Sequence, residues 1–518
     1  MQINRSKLPK GTAMNYSNPI IRGFNPDPSI CRVGNDYYIV NSTNEYFPAI
    51  PVYHSTDLVN WEHIGNCIER PEQLDFSGVQ ASSGMMAPSI RYINGTFYVM
   101  STFNGIGNFI VKSKNPATGW SDPVKINMGG IDPSILYEDG KAYYCTNYVA
   151  DGRRGISLTE IDIDTGEILS DMKMIWGGTD GGCIESPHIY HIGEYYYLLV
   201  AEGGTGFYHR VSAARSKNIY GPYESCPHNP VLTNREDTSL SVSCSGHADM
   251  FQDVDGNWWF VHIAVRNSLA WSSHIGRETF LTPVEWVDGW PMAVNGKFAR
   301  LRAEGPGDAV QKPVGKTVFS LDGKDPRFMY IRTPNVENFK FEGDKLTLTP
   351  SATNLTDDFG QHTILLTRHY DMNCIFRATI DFDPVNDGDE SGVIIYLSPL
   401  FNYRVTKRRE NGKNYIVTEK HLFDIEQIVY KEEVEDGVIT FEIDAERRIY
   451  KFFYTVNGEK REAATALTRF ICCEMAARCF TGSLMGVYAT SKTETTAKSI
   501  VSNIEAEGKI VEYPKRRP

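Results

Sequence analysis

Apolar and polar positions in the first three hundred residues follow one rhythm, repeated five times. Each copy opens on a short turn phrase: Asp27-Pro28-Ser29-Ile30, Ala87-Pro88-Ser89-Ile90, Asp132-Pro133-Ser134-Ile135, Ser186-Pro187-His188-Ile189 and His247-Ala248-Asp249-Met250. A tight turn and an aromatic-rich run follow, as in Gly34-Asn35-Asp36-Tyr37-Tyr38, Asn94-Gly95-Thr96-Phe97-Tyr98 and Asp255-Gly256-Asn257-Trp258-Trp259. Strands and glycine turns repeating every roughly 40 to 60 residues predict a β-propeller, here of five blades over residues 15–300. A second phrase sits between the copies: His54-Ser55-Thr56-Asp57, Lys112-Ser113-Lys114-Asn115 and Arg215-Ser216-Lys217-Asn218. It follows a strand-like run and precedes a turn, as an outer blade strand would. Ile161-Asp162-Ile163-Asp164-Thr165-Gly166 lacks the ligand spacing of a calcium loop and reads as a hairpin turn.

The rhythm changes after Arg300. Ala303-Glu304-Gly305-Pro306-Gly307-Asp308 reads as a linker, and alternating strands bounded by Asn-Gly and Asp-Gly turns follow. Lys345-Leu346-Thr347-Leu348-Thr349 and Tyr450-Lys451-Phe452-Phe453-Tyr454 are examples. They predict a β-sandwich over residues 313–518, so the fold class is all-β, a propeller followed by a sandwich.

Equivalent positions of a propeller converge on its axis. The register therefore brings together Asp27, Asp132, His247 and Glu185, which lies one residue before the repeat position. A lone Asp-Pro is ordinarily a turn residue, but three acids in register beside a histidine point to acid–base chemistry. Inverting glycoside hydrolysis needs such a pair, one carboxylate to activate water and one carboxylic acid to protonate the leaving oxygen, about 6.5–9.5 Å apart.

Composition narrows the partners. The 518 residues carry a formal charge of −12, which disfavours nucleic acid and anionic membranes. No run of about 18 apolar residues suggests a membrane span. The first residues, Met1 to Lys7, lack the apolar stretch of a signal peptide, and the ten cysteines show no paired spacing. Reduced thiols in a cytoplasmic protein are the expectation.

The motifs, taken in order, carry a family resemblance. Asn18-Pro19-Ile20-Ile21-Arg22-Gly23-Phe24-Asn25-Pro26-Asp27-Pro28 resembles the opening of glycoside hydrolase family 43. Gly130-Ile131-Asp132-Pro133, Ile184-Glu185-Ser186-Pro187-His188, Ala201-Glu202-Gly203-Gly204-Thr205, Gly246-His247-Ala248-Asp249 and Gly276-Arg277-Glu278-Thr279 resemble further motifs of its β-xylosidase and α-L-arabinofuranosidase branch, which carries a C-terminal sandwich. The resemblance implies Asp27 as general base, Glu185 as general acid and Asp132 as the residue that orients and tunes the acid. It implies substrate contacts by Arg277 and His247, with an interblade ion pair as the other reading of Arg277. His247 is also the position that helps hold a structural Ca2+ in the channel of many members. No cofactor is required. Cys479-Phe480-Thr481-Gly482-Ser483 resembles a motif whose aromatic reaches the active site, so Phe480 either closes the pocket or is a core residue beside a glycine bend.

Asn44 and Met86 stand where the β-xylosidases usually carry aromatic wall residues, which leaves the sugar open. The expected activity is exo-acting, inverting release of terminal pentoses from xylo- or arabinoxylo-oligosaccharides. β-1,4-D-Xylosidase comes first and α-L-arabinofuranosidase second, and a homo-oligomer is left open. An invertase-type fructan hydrolase lacks its Asn-Asp-Pro-Asn-Gly opening here, and a non-catalytic sugar-binding propeller would have no use for three axial acids.

Overall fold

The structure is a computed structural model and describes residues 15–509, except 151, 238, 240, 269–271, 295, 307–310, 313 and 477–478. The Gly307-Asp308 part of the expected linker, the N-terminal Met1–Lys7 and the basic Lys515-Arg516-Arg517 lie outside the described residues.

Five four-stranded antiparallel sheets follow one another. They begin with the inner strands Ser29–Val33, Ser89–Ile93, Ile131–Glu138, Glu185–Ile192 and Val242–Gln252. We call them blades 1 to 5. Each inner strand meets its successor around the ring, and the fifth meets the first. The repeat phrase therefore heads the innermost strand of blades 1 to 4 and falls midway along that of blade 5. At four of its five positions the backbone is left-handed: Asp27 (φ 53°), Asp132 (φ 55°), Ser186 (φ 53°) and His247 (φ 51°). Such a φ is unusual for a side-chain-bearing residue. Its recurrence at one register position marks a shared kink in the inner-strand segment, which in blade 5 interrupts the strand pairing between Gly246 and Asp249. It also explains why Glu185 precedes its repeat position: Ser186 carries the kink.

The second phrase falls at the end of the third strand of its blade rather than on the outermost one. Its constant element is a serine whose hydroxyl accepts the amide two residues on: Ser55 from Asp57, Ser113 from Asn115 and Ser216 from Asn218, each at 3.1 Å. The local bond closes the turn into the fourth strand. The Asp162 segment is likewise a hairpin, with Asp162 Oδ1 accepting the amides of Asp164 and Thr165.

Two short pairings tie the ends together. Asn15–Ser17 pairs with Arg302–Glu304, so propeller-associated structure runs a few residues past Arg300. Tyr330–Ile331 pairs with Tyr46–Phe47 of blade 1. Beyond them an eight-stranded and a six-stranded antiparallel sheet pack face to face around Phe376, Val393, Phe441, Phe452 and Val487. The other face of the six-stranded sheet presents Ile394, Tyr396 and Tyr488 to Phe24 and Tyr46 of the propeller, in one buried cluster. Burying such side chains contributes about 1.5–3 kcal/mol each. The join is therefore built like an interior and holds the sandwich in one place over blade 1.

Candidate active site

The kinks of blades 1, 3, 4 and 5 bring Asp132, Glu185 and His247 each within electrostatic reach of Asp27, as the repeat register predicts. Asp27 is buried and firmly held. Its Oδ1 accepts from Arg277 at 2.6 Å, its Oδ2 accepts the Ser42 hydroxyl at 2.6 Å, and His247 Nδ1 stands 3.8 Å away. Burial alone would raise its pKa. The Arg277 guanidinium, His247 and the Ser42 hydroxyl outweigh burial and hold the carboxyl below the ordinary aspartate range.

The other two acids respond in the opposite direction. Asp132 is raised well above its usual value by burial and then by Glu185 and Asp27. Glu185 is pushed up to about 7 by burial and by Asp27, with Arg277 opposing. The buried Asp132 and the half-buried Glu185 titrate together and keep a proton near neutral pH. The Glu185 carboxyl makes no hydrogen bond or ion pair to the described residues, so its proton is uncommitted.

Arg277 settles one of the open readings. It is an ion-pair partner across the blade 5–blade 1 seam, and the carboxylate it pairs with is Asp27. The sandwich holds the guanidinium from the other side, where the Phe480 carbonyl accepts from Nη2 at 3.0 Å and from Nε at 3.3 Å. Two glycines allow this approach. A side chain on Gly276 would fall 2.7 Å from the Gly482 Cα, and one on Gly482 would fall 1.7 Å from the Ile275 carbonyl oxygen. The Ser483 amide donates to the His274 carbonyl at 2.8 Å and fixes the contact. Phe480 is not a core residue. The residue is 44% exposed, and its amide donates to Ser82 Oγ at 3.0 Å.

Asn44 is buried, with its backbone bridged to Met85 and its side-chain amide donating to the Ser82 carbonyl at 3.4 Å. Met86 is half-buried and anchored by its own backbone on Ser101 and Thr102. Beside them Glu45, pushed up to about 8 by burial, accepts the Ser82 amide at 2.9 Å. Asn44, Glu45 and the Phe480 loop thus all converge on Ser82.

Three partners escaped the sequence reading. Ser42 lies in the quoted Ser42-Thr43-Asn44-Glu45-Tyr46 phrase but has no repeat counterpart. His209 is fully buried within the field of Asp27, and burial holds it neutral at about 3. Its Nδ1 lies 3.0 Å from the Cys244 carbonyl, and its Nε2 has no partner among the described residues. Glu202 accepts the Thr179 amide and hydroxyl, both at 2.7 Å, and steadies the loop that leads to Glu185. Its quoted motif, Ala201-Glu202-Gly203, was the available signal.

The charged side chains around His247 are largely engaged by other protein groups. Burial holds this histidine neutral at about 4. Asp27 is engaged by Arg277 and Ser42, and the next axial carboxylate, Asp249, is engaged by Arg91 at 3.0 Å. Among the described residues no group of three or more His, Cys, Asp or Glu side chains could hold a metal ion.

Comparison with known proteins now places this geometry. Residues 16–291 match the family model for glycosyl hydrolases family 43, and residues 316–501 match that for the β-xylosidase C-terminal concanavalin A-like domain. The chain belongs to glycosyl hydrolase family 43. A family member from Bacteroides ovatus, a non-reducing-end α-L-arabinofuranosidase, is 36% identical over 92% of this chain and 91% of its own. A β-xylosidase of Bacillus subtilis is 32% identical over 86% and 90%. Among solved structures, the Bacteroides ovatus xyloglucan PUL GH43B superposes with a TM-score of 0.90 at 34% identity, covering 96% of this chain and 100% of that one. The GH43 protein BlXynB of Bacillus licheniformis gives 0.89 at 30% identity, with the same coverage.

Proposed function

We propose that this family 43 enzyme is an exo-acting, inverting glycosidase that releases single terminal pentoses from xylo- or arabinoxylo-oligosaccharides. β-1,4-D-Xylosidase is the first assignment. One observation carries the acid–base roles: the same cluster holds Asp27 ionised while burial and repulsion keep a proton on the Glu185–Asp132 pair. Asp27 takes a proton from the attacking water, and its fixed bonds to Arg277 and Ser42 aim the carboxylate. Glu185 protonates the departing glycosidic oxygen, and its proton is not drawn off by a protein neighbour. Asp132, which accepts the Ser186 amide beside Glu185, orients the acid, and the like charge that keeps Glu185 protonated is that of Asp27. The sandwich loop at Phe480, set against Arg277, supports exo action because it narrows the axial end of the propeller.

The α-L-arabinofuranosidase reading has its own support. The Bacteroides ovatus relative carries that name, and Asn44 and Met86 leave the wall without two aromatic rings. Kinetics on a panel of nitrophenyl β-D-xylosides and α-L-arabinofuranosides, with proton NMR of the first-formed sugar, tests the whole assignment. Pentosidase activity with an inverted first product is the expected result. A product that retains the substrate configuration would contradict it.

A further inference from the structure

A second polar level lies two residues along each inner strand from the kink, on the same strand face because side chains alternate. Its members are Ser29, Ser89, Ser134, His188 and Asp249. Ser89 and Ser134 simply tie neighbouring blades, donating to the carbonyls of Pro133 and Pro187. The remaining three surround one side chain, Arg91, which reaches in from the next same-face position of blade 2.

Arg91 Nη1 donates to Asp249 Oδ2 at 3.0 Å, Ser29 Oγ at 3.3 Å and its neighbour's Ile90 carbonyl at 2.7 Å. Its Nη2 stands 3.0 Å from His188 Nδ1. Asp249 also accepts from the Ser29 hydroxyl (2.6 Å), the Ile30 amide (3.1 Å) and the Tyr190 hydroxyl (2.6 Å). Tyr190 in turn accepts the Met250 amide at 2.7 Å. His188 stands 3.7 Å from Asp249 and is held neutral, at about 4, by burial and by Arg91, so its Nδ1 accepts from the guanidinium. Asp249 is 1% exposed and His188 is 4% exposed. One largely covered cation thus binds one carboxylate and one imidazole and joins blades 1, 2, 4 and 5. Carboxylate and neutral imidazole are the donors a divalent ion would choose, and here the guanidinium has taken both.

We propose that Arg91 is the channel's built-in cation: it holds Asp249 and His188 in place of a divalent ion and thereby supports the His247 level above it without bound metal. Arg91 acts through these partners, as a positioning residue. Buried charges left unpaired are strongly destabilising, so the proposal separates into two measurements. In the first, the full-length wild-type protein is treated with EDTA and then with CaCl2. The expected result is a change of less than about twofold in kcat/KM and no shift of Tm, since a ligand that does not bind cannot stabilise. Loss of activity on chelation with recovery on CaCl2, or a Tm that climbs with CaCl2, would overturn the proposal.

In the second, Arg91→Ala is compared with Arg91→Met/Asp249→Asn, each with CaCl2 or MnCl2 as the probe. Arg91→Ala should lose thermal stability and recover part of it with metal, because it exposes a carboxylate and an imidazole to an incoming ion. The double variant, which removes both charges, should be more stable than Arg91→Ala and unresponsive to metal. If Arg91→Ala fails to fold while the double variant folds, the buried ion pair is confirmed as the organising element. Wild-type stability in Arg91→Ala, or equal metal responses in the two variants, would overturn it.

Discussion

Glu185 in the propeller and Glu419 in the sandwich are both pushed up to about 7, with burial as the leading cause. Their neighbourhoods differ in what happens to the proton. Glu419 sits among Arg404, Arg408, Glu390 and Glu426: Arg404 bonds both Glu419 and Glu426, and Arg408 Nη2 donates to Glu419 at 2.5 Å. Glu426, hydrogen-bonded to Glu419 and then to Arg404, falls to about 2. Glu390 is brought below the usual range despite burial, by Arg408 and Arg404. The proton of Glu419 is therefore already spent on its neighbour, in a network of three acids and two guanidiniums. The axial site has three acids and one guanidinium, and Arg277 is bonded to only one of them. A raised carboxyl does not by itself mark an active site. A raised carboxyl whose proton has no acceptor among the described residues, beside a second carboxylate held ionised, does.

The comparison breaks if the two clusters respond alike to mutation. Asp27→Asn should lower kcat by about 10²–10⁴-fold on every substrate, with the fold intact. Glu419→Ala should leave kcat/KM within about twofold while costing about 3–5 kcal/mol of stability, because it strips a partner from buried arginines. Parallel denaturation and kinetics distinguish the two.

Arg277→Met sharpens the role of the single axial cation. It should lower kcat/KM about tenfold or more, since a hydrogen bond to a charged group is worth about 1.5–3 kcal/mol. It should also move the pH profile. Wild-type activity should decline above about pH 7 as Glu185 loses its proton, and on the acid side only below the ordinary aspartate range, where Asp27 is protonated. Arg277 lowers both groups, so its removal should displace both limbs to higher pH.

The wall is a smaller effect. Asn44→Phe with Met86→Trp should shift the ratio of kcat/KM towards β-xylosides by about tenfold, in line with roughly 1–3 kcal/mol for apolar wall contacts. Movement towards arabinofuranosides would mean that these positions do not form the wall.

The smallest effect is on stability. Glu185 has an unfolded value of 4.5 and a folded value of about 7. Its ionisation penalises the folded state fully above pH 7, and the penalty vanishes below 4.5. Glu185→Gln should therefore raise Tm by about 2–4 °C above pH 7, and the two melting curves should converge below pH 4.5.

The propeller and its three acids were legible because repetition exposes register: a residue that recurs in five copies can be placed without knowing any contact. Ser42, His209 and Arg91 were not, because the same residue does not recur at their positions in the other blades; Ser42 acts within blade 1, and Arg91 and His209 reach across blade seams. Phe480 was ambiguous for a related reason. Its motif marked a glycine bend, but only the Gly276–Gly482 contact shows that the bend faces the propeller. Arg277 was read both as a substrate contact and as an ion-pair partner, and the sequence could not reveal that its partner is Asp27.

The most direct test is the leaving-group dependence of Glu185→Gln. With xylobiose, whose leaving oxygen must be protonated, kcat/KM should fall by about 10²–10⁴-fold, whereas a dinitrophenyl xyloside should lose less than about tenfold. Equal losses on the two substrates, or near wild-type turnover of xylobiose, would contradict Glu185 as the acid.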